Sequence, residues 1–150
     1  YYWSTASLGR LLEEAGFELE LRVRRIGPNV PTVDGGARAA RRWAQQPTSA
    51  VIAFNDVMAI GFIRGLRALG FSVPRDVSVV GFDNSRTGAL TVPALTSVAS
   101  PVSLQGATAV RNLVAIIGGA RSSEQPVLLP VKLVARDSTA RASRHRLERA

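Results

Sequence analysis

The chain has 150 residues, 46% of them hydrophobic, 20% charged and 6% aromatic, a globular composition with room for one core-forming domain that excludes a disordered chain. It contains no cysteine and one histidine, His145, which removes a disulfide framework, a thiolate metal site and the means for Ser-His or Cys-His catalysis. The net charge of +8 is not one patch: five arginines stand against two acids from Arg136 onward, the rest is spread over the preceding chain, and no aromatics are interleaved as stacking platforms, so it reads as solvated surface charge.

Residues 5–15 have a helical pattern closed by Gly16, and Leu19, Leu21 and Val23 then alternate with Glu20, Arg22 and Arg24 as in a half-exposed strand. Gly27-Pro28 breaks that strand. Asp34 is the expected N-cap of a helix running to Gln46, stopped by Pro47. Residues 50–54 form a continuous apolar run, the pattern of a strand buried on both faces. A helix over residues 57–69 follows, ended by Gly70. In it Met58, Phe62, Leu66 and Leu69 make one apolar stripe, while Val57 and Ile60 lie on the opposite side with Arg64 farther along. Residues 77–82 and 95–98 read as two more strands. Ser100 is the expected cap, with Pro101 first in a helix that ends at Gly118-Gly119, and a last strand spans residues 127–135. Residues 138–150 are a basic tail of uncommitted structure.

Strands alternating with helices predict an α/β fold with a mostly parallel sheet. The apolar runs stop far short of the roughly 20 residues needed to cross a bilayer, so no membrane span is expected. Tyr1 is not a methionine, and residues 1–4 carry none of the regions of a signal peptide. The expectation is that a start was removed or that this is a piece of a longer chain.

Two strands end alike, in Phe54-Asn55-Asp56 and Phe82-Asp83-Asn84. In an open parallel sheet those positions fall at the carboxyl edge, where ligands bind. Asn55 offers a donor and an acceptor, and ionised Asp83 offers two acceptor oxygens, a pair suited to vicinal hydroxyls or an amine-bearing small molecule. Phe54, Phe82 and Trp3 could supply apolar faces. The competing reading is that Asn55 or Asp56 only caps the next helix and Asp83-Asn84 only turns the chain. An acid/base pairing of Asp56 with Asp83 finds no nucleophile or activated water elsewhere in the sequence. Gly35-Gly36 and Gly118-Gly119 lack the context of phosphate loops.

The runs Ala53-Phe54-Asn55-Asp56-Val57-Met58-Ala59-Ile60-Gly61, Asp76-Val77-Ser78-Val79-Val80-Gly81-Phe82-Asp83-Asn84, Pro93-Ala94-Leu95-Thr96-Ser97-Val98 and Arg136-Asp137-Ser138-Thr139 together resemble the effector-binding domain of the LacI/GalR family of bacterial transcriptional regulators, over about 135 positions. The Asn-Asp-x-x-Ala-x-Gly element is shared with periplasmic sugar-binding proteins of the same fold, and the closing Arg-Asp-Ser-Thr favours the regulators. The resemblance implies a type I periplasmic-binding-protein-like fold of two subdomains. Residues 1–98 and 131–136 would belong to the C-terminal subdomain, residues 99–130 to the N-terminal one, and residues 137–150 to the tail.

It further implies that Asn55 and Asp83 hydrogen-bond the effector, in this family often a sugar or a purine and here read as a sugar-like molecule, in the cleft between subdomains. Val57, Ile60 and Arg64 would meet a twofold partner in a homodimer. Operator DNA would be bound only through an N-terminal headpiece that this chain lacks, and the protein would be cytoplasmic, with no catalytic activity, metal or cofactor. Two positions depart from the family pattern: Ala6 stands where an arginine binds ligand, and Pro31 where an aromatic residue stacks on it. The alternatives are a periplasmic sugar-binding protein of a transporter and a truncated, non-functional fragment.

Overall fold

The computed structural model describes residues 24–120 and 125–141. The expected helix over 5–15, the strand at 19–23, Trp3 and Ala6, and the end of the tail lie outside the described residues. Within them the order is α1 (Val33–Trp43), β1 (Ala50–Ile52), α2 (Asp56–Ala68), β2 (Ser78–Phe82), α3 (Arg86–Ala89), β3 (Thr96–Ala99), α4 (Val102–Ile117) and β4 (Lys132–Val134). The four strands form one sheet in the order β1-β2-β3-β4. The first three are parallel and β4 runs antiparallel to β3. This is the expected α/β architecture with a mostly parallel sheet.

α1 and α2 pack closely because small residues line their contact. A methyl group at Gly36 would come within 2.1 Å of the Met58 carbonyl oxygen, and one at Gly61 within 1.9 Å of that of Val33. Trp43 closes the core, meeting Phe62 and Phe71 edge-on at centroid distances of 6.1 and 5.1 Å. Its indole N–H donates to Thr48 Oγ1, so the buried ring leaves no polar group unsatisfied. Ala40, Ala59, Leu66, Val77, Val79 and Leu95 complete this core between the helix pair and the sheet. Gly70, at φ +82°, takes the left-handed turn after α2 that a side chain would resist.

Several local expectations are corrected. Thr32, not Asp34, caps α1, its hydroxyl oxygen accepting from Gly35 N at 3.1 Å, which places Asp34 in the first turn beside the positive end of the helix. α1 ends at Trp43, short of Gln46, and a small helix at Arg86–Ala89 went unforeseen. β1 is not buried on both faces: Ala50 and Ile52, which share one face of the strand, are exposed, while Val51 on the other face packs against the core. Ser100 does not cap α4, since its carbonyl, not its hydroxyl, meets Val102 N, and Pro101 takes the cap position without a side-chain bond. β4 is confined to the three residues Lys132–Val134, and Pro130, which has no N–H to give a ladder, stands just before it.

α4 differs from every other long helix described. None of its 16 residues is buried, and Val110, Leu113, Val114 and Ile117 all stand in the open, Ile117 at 77%. Among the described residues no helix is long and apolar enough to cross a membrane, and no three His, Cys, Asp or Glu side chains group as metal ligands.

Candidate functional site

The parallel register of β1 and β2 brings two polar residues to one edge. Ile52 pairs with Val80, Asn55 lies three residues past the first and Asp83 three past the second, and parallel strands end on the same side. The two sequence-predicted ligand contacts therefore share the carboxyl edge of the sheet, on neighbouring strands.

Asn55 does cap α2: its side-chain oxygen accepts from Met58 N at 2.8 Å. This meets the structural reading, yet it leaves the side-chain NH2 with no protein partner among the described residues. Capping uses the amide oxygen and leaves the NH2 donor available, so the two roles are compatible. Asp83 is exposed and holds φ +116°, a left-handed value for a residue with a side chain. Its backbone N–H donates to Val98 O at 2.9 Å, extending the β2–β3 pairing one step beyond the strand. Partial burial, and then the negative charge of Asp56, push the Asp83 carboxyl above the ordinary aspartate range. Phe54 is 68% exposed and Phe82 half-buried, so both can offer ring surface near the edge. Trp3 lies outside the described residues.

Asp56 has a different place. It is fully buried, Oδ1 accepting from the Ser97 hydroxyl and Oδ2 from Ser85 N at 2.6 Å. Both oxygens are occupied within the protein, which removes the acid/base pairing with Asp83. The surrounding glycines belong to the same arrangement, because a methyl group at Gly81 would fall 2.2 Å from Asp56 Oδ1.

Sequence reasoning missed the residues that hold the Asp83 corner. Asn84 N donates to Ser97 Oγ at 3.0 Å, and Arg136 donates through one guanidinium nitrogen to Asn84 Oδ1 and through another to Leu95 O, both at 2.6 Å. Ser138, fully buried, bridges β2 and β3 by donating to Val79 O and accepting from Thr96 N. The Arg-Asp-Ser-Thr run was the available signal: a polar cluster closing an apolar segment had to find its partners somewhere in the sheet.

On α2, Val57 and Arg64 are exposed, whereas Ile60 is half-buried and packs against the core. The inward stripe is Ala59, Phe62, Ile63 and Leu66. Leu69, expected on it, is 43% exposed as the C-cap, since the helix ends before it can turn that side chain inward.

The chain matches the periplasmic binding protein-like domain over residues 2–139. It is 45% identical over 111 residues to the HTH-type transcriptional regulator MalR of Streptomyces coelicolor, covering 74% of this chain and 32% of MalR. Among solved structures, a complex of the transcriptional regulator CelR with cellobiose is 35% identical with a TM-score of 0.71, over 89% of this chain and 42% of that one. A LacI family regulator from Arthrobacter sp. FB24, in complex with lactose, is 33% identical with a TM-score of 0.66, over 90% and 50% of the two chains. The chain thus spans about a third of the curated relative and about half of the solved structures.

Proposed function

The chain belongs to the periplasmic binding protein-like domain family, in its LacI/GalR regulator branch, and from that premise we propose that it is the effector-sensing part of a transcriptional regulator, taking a sugar-class ligand between Asn55 and Asp83. The observation that carries this is the shared sheet edge, where the Asn55 amide, its oxygen held by Met58 N, and the exposed Asp83 carboxylate follow the carboxyl ends of adjacent parallel strands. A carboxylate accepting from hydroxyls, with an amide bonding a neighbouring hydroxyl, is the chemistry by which vicinal diols are held. Phe54 and Phe82 supply apolar walls for the faces of a ring. Cellobiose and lactose in the two structural neighbours support a polyhydroxy ligand over a charged metabolite.

The reading extends to the whole regulator. Residues 99–130 belong to the other subdomain of the cleft, and the uncovered apolar surface of α4 supports that assignment, since such a helix is stable only against a partner surface. Ligand would act by its different affinity for the closed and open arrangements of the subdomains. Val57, Arg64 and the outer part of Ile60 meet a second copy around a twofold axis. Operator DNA is recognised by a headpiece outside these 150 residues, in the cytoplasm, and no reaction is catalysed.

The test is a calorimetric titration of the protein with ribose, cellobiose and lactose, alongside Asp83→Ala. Loss of a hydrogen-bonded charge is expected to weaken binding by about 1.5 to 3 kcal/mol. Equal affinity in the variant would remove Asp83 from the site, and failure of every sugar to bind would sink the sugar-class reading.

A further inference from the structure

The corner that carries Asp83 is held from outside itself. Asp83 and Asn84 adopt φ values of +116° and +52°, two successive left-handed residues that both carry side chains. Such conformations persist only where surrounding contacts over-determine them. Three consecutive backbone N–H groups of the corner are taken up by two neighbouring elements: Asp83 N by Val98 O and Asn84 N by Ser97 Oγ, both of β3, and Ser85 N by Asp56 Oδ2 in the first turn of α2. The side chain of Asn84 would still be free to turn were it not for Arg136, whose guanidinium spans Asn84 Oδ1 and Leu95 O. Arg136 is itself set by its backbone, its N–H donating to Thr96 Oγ1 at 2.8 Å.

We propose that Arg136 is a positioning residue for Asp83: by bridging Asn84 and Leu95 it locks the left-handed corner, so that the Asp83 carboxylate stays fixed at the ligand edge beside Asn55. Its value for effector binding rests on the reading of Asn55 and Asp83 as ligand contacts. The planar, forked guanidinium suits the task, because two acceptors in fixed directions are engaged at once, and an ammonium at the end of a lysine reaches one of them. Arg136 lies two residues beyond β4, the strand that returns from α4. The final motif of the fold is thereby tied to the ligand edge through one side chain.

The experiment compares the full chain with Arg136→Ala, Arg136→Lys and Asn84→Gly, the last tolerating positive φ while removing the guanidinium's acceptor. Amide exchange is read by NMR at residues 83–85 and, as an internal reference, at Phe62 and Leu66. Arg136→Ala and Asn84→Gly are each expected to speed exchange at the corner by about tenfold or more while the reference amides stay protected. The double variant should add little to either, as for two partners of one contact, and Arg136→Lys should restore part of the protection.

The Asp83 carboxyl, followed by its carbon shift, separates positioning from plain electrostatics. Losing a nearby positive charge alone would raise its pKa, whereas release of the corner into water, away from Asp56, lowers it. A fall supports the proposal. An unchanged or rising pKa, corner amides as protected as before, or exchange accelerated equally throughout the molecule overturns it. With ribose, cellobiose and lactose as probes, any sugar that binds should bind Arg136→Ala about tenfold more weakly, through the loss of a pre-set contact. If none binds the unaltered protein, the sugar-class reading fails, and exchange and titration at the corner still decide the role of Arg136.

Discussion

The hydroxyl of Ser97 donates to Oδ1 of Asp56 across 41 residues of chain, joining the third strand to the first turn of α2 inside the core. Asp56 is fully buried and its other oxygen takes Ser85 N. Each hydrogen bond to a charged acceptor contributes about 1.5 to 3 kcal/mol, and a donor left unpaired in the core adds its own desolvation cost. Asp56→Ala is therefore expected to lower stability by about 3 kcal/mol or more. Asp56→Asn, which keeps one acceptor oxygen, should cost less. Urea unfolding of both variants checks the order, and equal losses would mean that packing rather than hydrogen bonding sets the cost.

Asp83 makes the stability of the fold depend on pH. Because its carboxyl is raised above the ordinary range by burial and then by Asp56, the folded state holds the proton more tightly than the unfolded chain does. Stability linked to this group is fully present below the unfolded value of about 3.9 and is lost as pH rises through the folded one. Asp83→Asn removes the ionisation, so the variant should be the more stable form at pH 7, with the gap closing as pH falls towards 4. A stability difference independent of pH would assign the effect to the backbone conformation instead.

The contact of α1 with α2 sets a sharp contrast between two glycines. Gly61→Ala would drive a methyl into the Val33 carbonyl at 1.9 Å, whereas Gly106 in α4 has no atom within 4 Å of the same position. The first substitution should cost about 3 kcal/mol or more, since backbone cannot give way as a side chain can. The second should stabilise its helix by about 0.5 to 1 kcal/mol through the greater helix preference of alanine. Denaturation and far-ultraviolet circular dichroism report the two separately.

α4 should make the chain bind a hydrophobic dye. Leu113→Gln and Ile117→Gln, at positions 58% and 77% exposed, are expected to reduce dye fluorescence while changing stability by no more than about 0.5 kcal/mol. Leu66→Ala, in the core, should cost about 2 to 5 kcal/mol. If the α4 substitutions were as damaging as the core one, the helix would be covered in solution.

For the twofold surface, Val57→Glu and Arg64→Glu are the informative variants, because both positions are exposed. Ile60→Glu would also disturb the core that Ile60 touches. Sedimentation should show a dimer converted to monomer in the first two, and an unchanged profile would exclude this face of α2.

What the sequence by itself determined was the type and order of the strongly patterned elements, not their caps or exact ends. The alternation of apolar runs with 3.6-residue periodicity was enough for the α/β class, for α2 within a residue at each end, and for β2 and β3 within one or two. The same regularity brought Asn55 and Asp83 to one edge, because parallel strands of similar length end on the same side. What only the tertiary structure decided depends on neighbours distant in the chain. The exposure of Ile52 and of α4 follows from which surfaces lie alongside, which no single run reveals. The burial of Asp56 likewise follows from partners 29 and 41 residues away. Arg136 opens the Arg-Asp-Ser-Thr motif, but the motif does not name its partner, and only the antiparallel return of β4 beside β3 carries its guanidinium to Asn84, 52 residues earlier. Hydrogen bonds between distant elements leave no period in a sequence, so the shared edge of Asn55 and Asp83 was legible there and the partners of the contacts that hold it were not.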